Sequence, residues 1–432
     1  MKQPAIDDFG DLVRKDRVHR RVYTDPAVFE LEQQRIFNRS WLFAGHESQV
    51  PRRGDFITTQ LAGQTLIVIR HEDDIKVLFN RCPHRGAKIC ETESGNARPF
   101  RCPYHGWVFD TDGRLISSSL HGDYGDFTVA DADLNVRAVP RMTNYRGFVF
   151  VNLCDDGPGL EQALGPMMSA IDNLLDRSPE GAVELIPGIH RHVFPGNWKL
   201  LLENISDAAH PPFVHASSNE AGTKGRLEDY RMRAEDVMSG NNQAAGMLGQ
   251  SKLKAFQHGH SYLAAIPIRI KVSREAEQEY RTAMVQSHGV DKAETILNDS
   301  RHFNIIYPQI MLQSVFQTVK VLRPVAIDRT EVSVYVFRLK GAPQEYERVA
   351  VQFANATNSS ASVILQDDLT TFANIQEGLA ACAGDWVLFA NGYGNDIADG
   401  HGAVTGEGFS ELPMRSQFAA WRDYMAAGPS GN

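Results

Sequence analysis

The chain of 432 residues carries 44 basic and 53 acidic side chains, a net charge of −9 with no long run of either sign, which argues against nucleic acid or an anionic membrane surface as partner. Its length exceeds what one core usually supports, so two domains are expected. The polar stretch Met1 to Arg21 lacks a signal-like apolar core, no segment is apolar for long enough to cross a bilayer, and five scattered cysteines make no disulfide framework, so a soluble cytoplasmic protein with no membrane partner is expected.

Thr24-Asp25-Pro26 puts a capping side chain and a proline where a helix should begin, and Val28, Leu31 and Phe37 recur on one face, which predicts a helix through Asn38. From Trp41 to Asn152 short apolar runs alternate with turn residues. Asp55–Leu61, Gln64–Arg70, Ile75–Phe79 and Gly147–Asn152 read as strands of a small antiparallel β-domain, assigned to residues 39–156. The acidic Gly/Pro stretch Asp155 to Gly159 marks the boundary, and residues 1–38 with 157–432 make the second domain, for an α+β chain. There Leu160–Leu175 is helical in pattern and Val183–Phe194 strand-like, while Glu220–Gln257 reads as a long loop or lid. Tyr262–Val272, Phe303–Tyr307, Ile310–Val321 and Glu331–Arg338 look like strands of a second sheet. Helices are expected at Gln344–Ala356, Gln366–Ala383 and Gln417–Met425.

Two stretches carry chemistry. Within the β-domain, Cys82-Pro83-His84-Arg85-Gly86 is answered by Cys102-Pro103-Tyr104-His105-Gly106-Trp107, so each loop offers one thiolate and one imidazole. Two Cys and two His also describe a zinc finger, but fingers group a Cys pair and then a His pair. One of each per loop suits a [2Fe–2S] centre in which one iron takes both Cys and the other both His. In the second domain Asn197-Trp198-Lys199 precedes Glu203-Asn204-Ile205-Ser206-Asp207-Ala208-Ala209-His210-Pro211-Pro212-Phe213-Val214-His215. Asp207 and His210, three apart, fall on one helical face; His210 and His215 are about 140° apart on an ideal helix, so they converge only if the helix is broken, which Pro211-Pro212 would do. Two imidazoles and a distant carboxylate would make an open-sided Fe(II) face, with Asp367-Asp368 as the place for that carboxylate. A His pair beside prolines is often structural, but a one-electron donor and an open iron site in one chain explain each other.

These motifs resemble those of Rieske non-haem iron aromatic-ring-hydroxylating oxygenases, large (α) subunit, over nearly the whole chain. The resemblance implies a [2Fe–2S] Rieske cluster on Cys82, His84, Cys102 and His105, and a helix-covered antiparallel-sheet catalytic domain with mononuclear Fe(II) on His210, His215 and Asp368. It implies Asp207 as the acid bridging a cluster His to an iron His across an α3 or α3β3 assembly, with a small β subunit in the latter. It further implies O₂ and an aromatic substrate as reactants, and electrons from NAD(P)H through a reductase, directly or by a ferredoxin. Ala209 departs from the pattern, standing where a Tyr is common.

For the pocket, Asn204, Phe213, Val214, the Met238–Leu253 loop, His302, Lys320 and Ile364 are candidates. Lys320 or Arg323 could receive a substrate carboxylate, but the plainer reading of both as surface or interface charges is the favoured one. The carboxy-terminal half resembles oxygenases of benzoate, salicylate and terephthalate more than those of hydrocarbons, so an aromatic carboxylate is expected. A demethylating monooxygenase, a hydrocarbon dioxygenase, or a Rieske electron carrier with a binding domain are the alternatives. His190-x-His192 and His258-x-His260, at alternate positions of strand-like segments, are read as solvent-facing or hydrogen-bonded groups rather than metal ligands.

Overall fold

The computed structural model describes residues 9–118, 131–223, 251–264, 270–299, 301–381 and 383–427. These belong to two compact units: Phe37–Leu160, and the combination of Met1–Ile36 with Glu161–Asn432. Met238 to Gln250 of the pocket loop, His121 and Cys382 lie outside the described residues. Among those residues no helix is long and apolar enough to cross a membrane.

The unit of Phe37–Leu160 is antiparallel throughout. Asp74–Phe79, Gln64–His71, Asp55–Leu61 and Ser94–Asn96 form one sheet, Phe100–Arg101, Val108–Phe109 and Leu115–Ser117 a second, and Arg141–Tyr145, Phe148–Asn152 and Leu42–His46 a third. Phe56, Ile67, Ile69, Leu78, Phe100, Trp107 and Phe109 close around one core, and Cys82 and Cys102 stand on it.

In the larger unit the amino-terminal segment folds back onto the carboxy-terminal part of the chain. Helix α1 (Pro26–Glu32) starts where Asp25, rather than Thr24, accepts from Ala27 N–H, and it ends in a π turn, Gln33–Phe37. Among the described residues ten strands make one antiparallel sheet. Its strands β1 (His190–Phe194), β2 (Arg301–Ile306), β3 (Ile310–Gln313), β4 (Thr318–Ala326) and β5 (Arg329–Leu339) concern the site. Three expected elements are split for local reasons. The expected strand 183–194 breaks at Pro187-Gly188 into Val183–Leu185 and β1, both pairing with β5, and 310–321 breaks at the Ser314–Gln317 turn into the β3/β4 hairpin. The first helix after the linker breaks at Gly165-Pro166 into Leu160–Leu164 and Met168–Asp176. The expected loop contains a strand, Lys252–Ala255, and of the strand expected at 262–272 the described part is Ser261–Ala264, residues 265–269 lying outside the described residues. Helix Arg274–His288, absent from the sequence reading, had its signal in Ser273, which caps Ala276 N–H, and in Ala276, Tyr280 and Met284, buried at intervals of four.

Candidate active site

The four donors of the smaller unit come from two loops with the same backbone turn. Gly86 N–H donates to Cys82 C=O at 2.9 Å and Gly106 N–H to Cys102 C=O at 3.0 Å, while Cys82 N–H and Cys102 N–H each donate 2.8 Å to the carbonyl five residues on. Both glycines hold positive φ, +77° and +69°, which only glycine adopts without penalty. Each loop therefore turns back on itself and sets its Cys inward and its His at the rim: Cys82 and Cys102 are 1% and 2% exposed, His84 and His105 partly exposed. The two sulfurs face each other, and burial pushes the Cys82 thiol up, with the neighbouring Cys102 adding to it. The two imidazoles lie with ring centroids 4.6 Å apart, and His84 stacks on Trp107 at 5.0 Å.

That arrangement discriminates between one ion and two. Around a single zinc every donor lies within about 4 Å of the others, given metal–ligand bonds of 2.0–2.3 Å. Among the described residues, three or more acidic, His or Cys donors gather within 4.8 Å of one another only at His210, His215 and Asp368. The thiol pair and the imidazole pair are thus separated, as an iron pair with unlike ligands requires.

The second site begins at α2 (Trp198–Ser206), capped by Asn197, whose side chain accepts from Lys199 N–H. The first turn of α2 is locked to α1: Lys199 Nζ lies 2.6 Å from Glu32 Oε1, Trp198 Nε1–H donates to Glu32 Oε2 at 2.8 Å, and Trp421 Nε1–H donates to Oε1 at 2.6 Å. The partner Glu32 has no signature in sequence. The chain leaves the helix at Asp207, where φ/ψ turn extended. This corrects the expected break: the interruption precedes His210, and Pro211 and Pro212 instead open a helical turn, α3 (Pro211–Val214), where their missing N–H groups cost nothing. Asp207 therefore shares no helix with His210. It accepts from Ala209 N–H at 2.7 Å through Oδ1 and lies 3.5 Å from His210 Nδ1 through Oδ2.

Helix α4 (Val363–Ala380) starts three residues before the expected Gln366, because Ser362 Oγ accepts from Ile364 and Leu365 N–H. Asp367 and Asp368 then sit in its second turn, about 100° apart around the axis. Asp368 Oδ1 reaches His210 Nε2 at 3.8 Å and His215 Nε2 at 3.5 Å, whereas Asp367 Oδ2 lies 3.3 Å from His215 Nδ1 and accepts from Ser218 Oγ at 2.7 Å. Asn204 Nδ2 donates to Asp368 at 3.1 Å and touches His210 Nε2 at 3.2 Å. Each imidazole thus turns Nε2 toward the shared carboxylate; His215 backs Nδ1 onto Asp367 in a hydrogen bond, whereas His210 Nδ1 has Asp207 near it without one. Asp367, in sequence only the neighbour of the chosen carboxylate, thus supports His215, and Ser218, which no motif singles out, is signalled only by its spacing of three from His215.

Ile364 is buried one turn before Asp368 on the same face, and Val214 is half-buried. Phe213 is corrected: at 82% exposure it is a surface side chain, since one turn of α3 cannot aim 213 and 215 the same way. Arg323 pairs with Glu331 at 2.6 Å, as the plainer reading held. Lys320 does not follow that reading: it pairs with no described residue, and burial pulls its ammonium down to about 8 against the opposing charge of Asp368. Of the other His pairs, His260 is structural, bonded to Ala163 C=O and Tyr307 N–H. His192 departs from expectation: Arg191 and Val193 face outward and His192 inward.

The fold agrees with what comparison finds. A family model described as "Rieske [2Fe-2S] domain" matches residues 40–124, and one described as "Ring hydroxylating alpha subunit (catalytic domain)" matches 183–427. The chain is 31% identical over 408 residues to toluate 1,2-dioxygenase subunit alpha of Pseudomonas putida, covering 92% of this chain and 85% of that one. It is 30% identical over 381 residues to the 2-halobenzoate 1,2-dioxygenase large subunit of Burkholderia cepacia, covering 86% and 78%. Among solved structures, naphthalene 1,2-dioxygenase with indole bound superposes with a TM-score of 0.83 at 24% identity, covering 99% of this chain and 95% of that chain.

Proposed function

Because the chain belongs to the family of ring-hydroxylating oxygenase large subunits with a Rieske [2Fe–2S] domain, we propose that it is the terminal oxygenase that hydroxylates an aromatic carboxylate. Residues 39–156 are then the cluster domain, and 1–38 with 157–432 the catalytic one. The observation that carries the reading is the convergence of His210 Nε2, His215 Nε2 and Asp368 Oδ1 within 4.8 Å of one another. The carboxylate preference rests on the relatives named for toluate and 2-halobenzoate.

Cys82 and Cys102 would hold one iron of the cluster and His84 and His105 the other; His210, His215 and Asp368 would hold the mononuclear iron. When bound, the cluster supplies electrons singly and the mononuclear iron the centre at which O₂ is activated. The protein's part is orientation. Asp367 accepts the Nδ1 proton of His215, and Asp207 stands 3.5 Å behind His210 Nδ1 without a hydrogen bond to it, while both Nε2 atoms turn toward Asp368. Asn204 holds Asp368 by one amide proton, so that its carboxylate cannot swing away. Asp207, backed against His210, is the bridge to a cluster imidazole of a second copy in an α3 or α3β3 assembly. A cytoplasmic reductase, alone or with a ferredoxin, would pass electrons from NAD(P)H.

The test is product analysis with reductase, NADH and O₂ on matched pairs, benzoate with benzene and 3-methylbenzoate with toluene. Coupled hydroxylation of the acids supports the reading. Faster coupled turnover of the hydrocarbons would replace it with a hydrocarbon dioxygenase, and a protein that holds its cluster but takes up no mononuclear iron when supplied with Fe(II), and turns over neither, would return it to an electron carrier.

A further inference from the structure

Beside the iron site one face of the sheet carries basic groups that the reaction described above does not use. In the strand register His190 pairs with Val334 and Lys320 with Val334, while His192 pairs with Val332 and Leu322 with Val332, so His190, His192 and Lys320 share one face across β1, β5 and β4. Helix α4 lies over that face: Phe194, two residues after His192, packs on Phe372 with ring centroids 4.8 Å apart, and Phe372 is one turn beyond Asp368. The face with Lys320 and His192 is therefore the one that the iron-bearing helix covers.

The polar atoms there lack partners. Both ring nitrogens of His192 and Nδ1 of His302 are buried with no partner among the described residues, and Lys320 has none either. Burial and the charge of Lys320 pull His192 and His302 each down to about 4, so at neutral pH both rings are neutral and each presents one N–H. Lys320 is half-buried, and a partly desolvated ammonium with no ion-pair partner is stabilised by an anion beside it. Asp368, committed to the metal site, does not fill that role.

The geometry points to Lys320, on one sheet face with His192, as the receiver of the substrate's carboxylate, with Lys320 supplying the ion pair and the neutral His192 imidazole the N–H bond. This rests on the hydroxylase reading and deepens it, since it names the residues that would make an aromatic acid preferred over its neutral analogue.

The experiment is equilibrium binding to the iron-loaded protein by calorimetry, with benzoate and salicylate against benzamide and salicylamide. Wild type is expected to prefer the acids. Lys320→Met should weaken acid binding on the order of 100-fold, with the amides nearly unchanged and iron content and cluster spectrum retained. Lys320→Arg should restore much of the preference. His192→Asn gives an independent reading from the other side of the site, and Lys320→Gln replaces the Met variant if that does not fold. If wild type prefers the acids and the Lys320 variants keep that preference, the receiver is elsewhere while the carboxylate reading stands. If no acid binds better than its amide, the carboxylate reading itself falls.

Discussion

Removing Lys199 should loosen the catalytic unit and its iron site together. Lys199 and Glu32 are both fully buried, 2.6 Å apart, and Glu32 also accepts from two indoles. In Lys199→Met the carboxylate keeps both indole bonds and loses its cation, and stranding one charge of such a pair costs about 3–5 kcal/mol. The indole bonds offset part of this, so the expected loss is about 3 kcal/mol. The double variant Lys199→Met/Glu32→Gln strands no charge and should lose less than the sum of the singles by about 2 kcal/mol. Urea unfolding followed by near-UV dichroism gives the four corners of the cycle. Because Lys199 stands in the first turn of α2 and Asn204 in its last, the variant should also retain less mononuclear iron while its cluster signal is unchanged. A loss below about 1 kcal/mol, or strictly additive singles, would refute the reasoning.

Asp367→Ala removes the acceptor behind His215 and should weaken mononuclear iron binding about 10–100-fold with the cluster intact, read by iron titration and by the nitrosyl EPR signal; equal affinity would show that His215 needs no such support. Asp368→Ala should abolish that signal altogether and leave the reduced cluster signal in place. Asp207→Ala should keep both metals yet stop coupled turnover, and normal hydroxylation by that variant would remove Asp207 from the electron path. Glu203, which accepts from Tyr23 Oη–H at 2.9 Å, has its carboxyl raised by burial from an ordinary 4.5 to about 8, with Tyr23 and Lys199 opposing and Asp207 and Glu411 adding. The folded state then holds a proton that the unfolded chain releases between those values, so stability should fall as pH rises from about 4.5 to 8. Glu203→Gln should flatten that decline and gain on wild type at pH 9; parallel pH profiles of the two would contradict the assignment.

Much of the site could be read locally. Cys82, His84, Cys102 and His105 lie on two short loops whose turn glycines are part of the motif, and His210 and His215 lie five residues apart, so chain connectivity alone brings each group near its neighbours. Helix phase was harder. Where α4 begins depends on Ser362 capping rather than on the Asp pair, and that start decides which side of His215 each acid meets.

The sequence by itself determined the ligand types, their local spacing and the order of sheet and helix, because these follow from short-range backbone preference and side-chain chemistry. Only the tertiary structure decided that Glu32 neutralises Lys199, that Asp367 backs His215 while Asp368 faces both imidazoles, and that His192 turns inward toward the face of Lys320. Each of these joins residues far apart in the chain, through strand register or helix packing, and no local pattern encodes which distant side chain will stand opposite a given one.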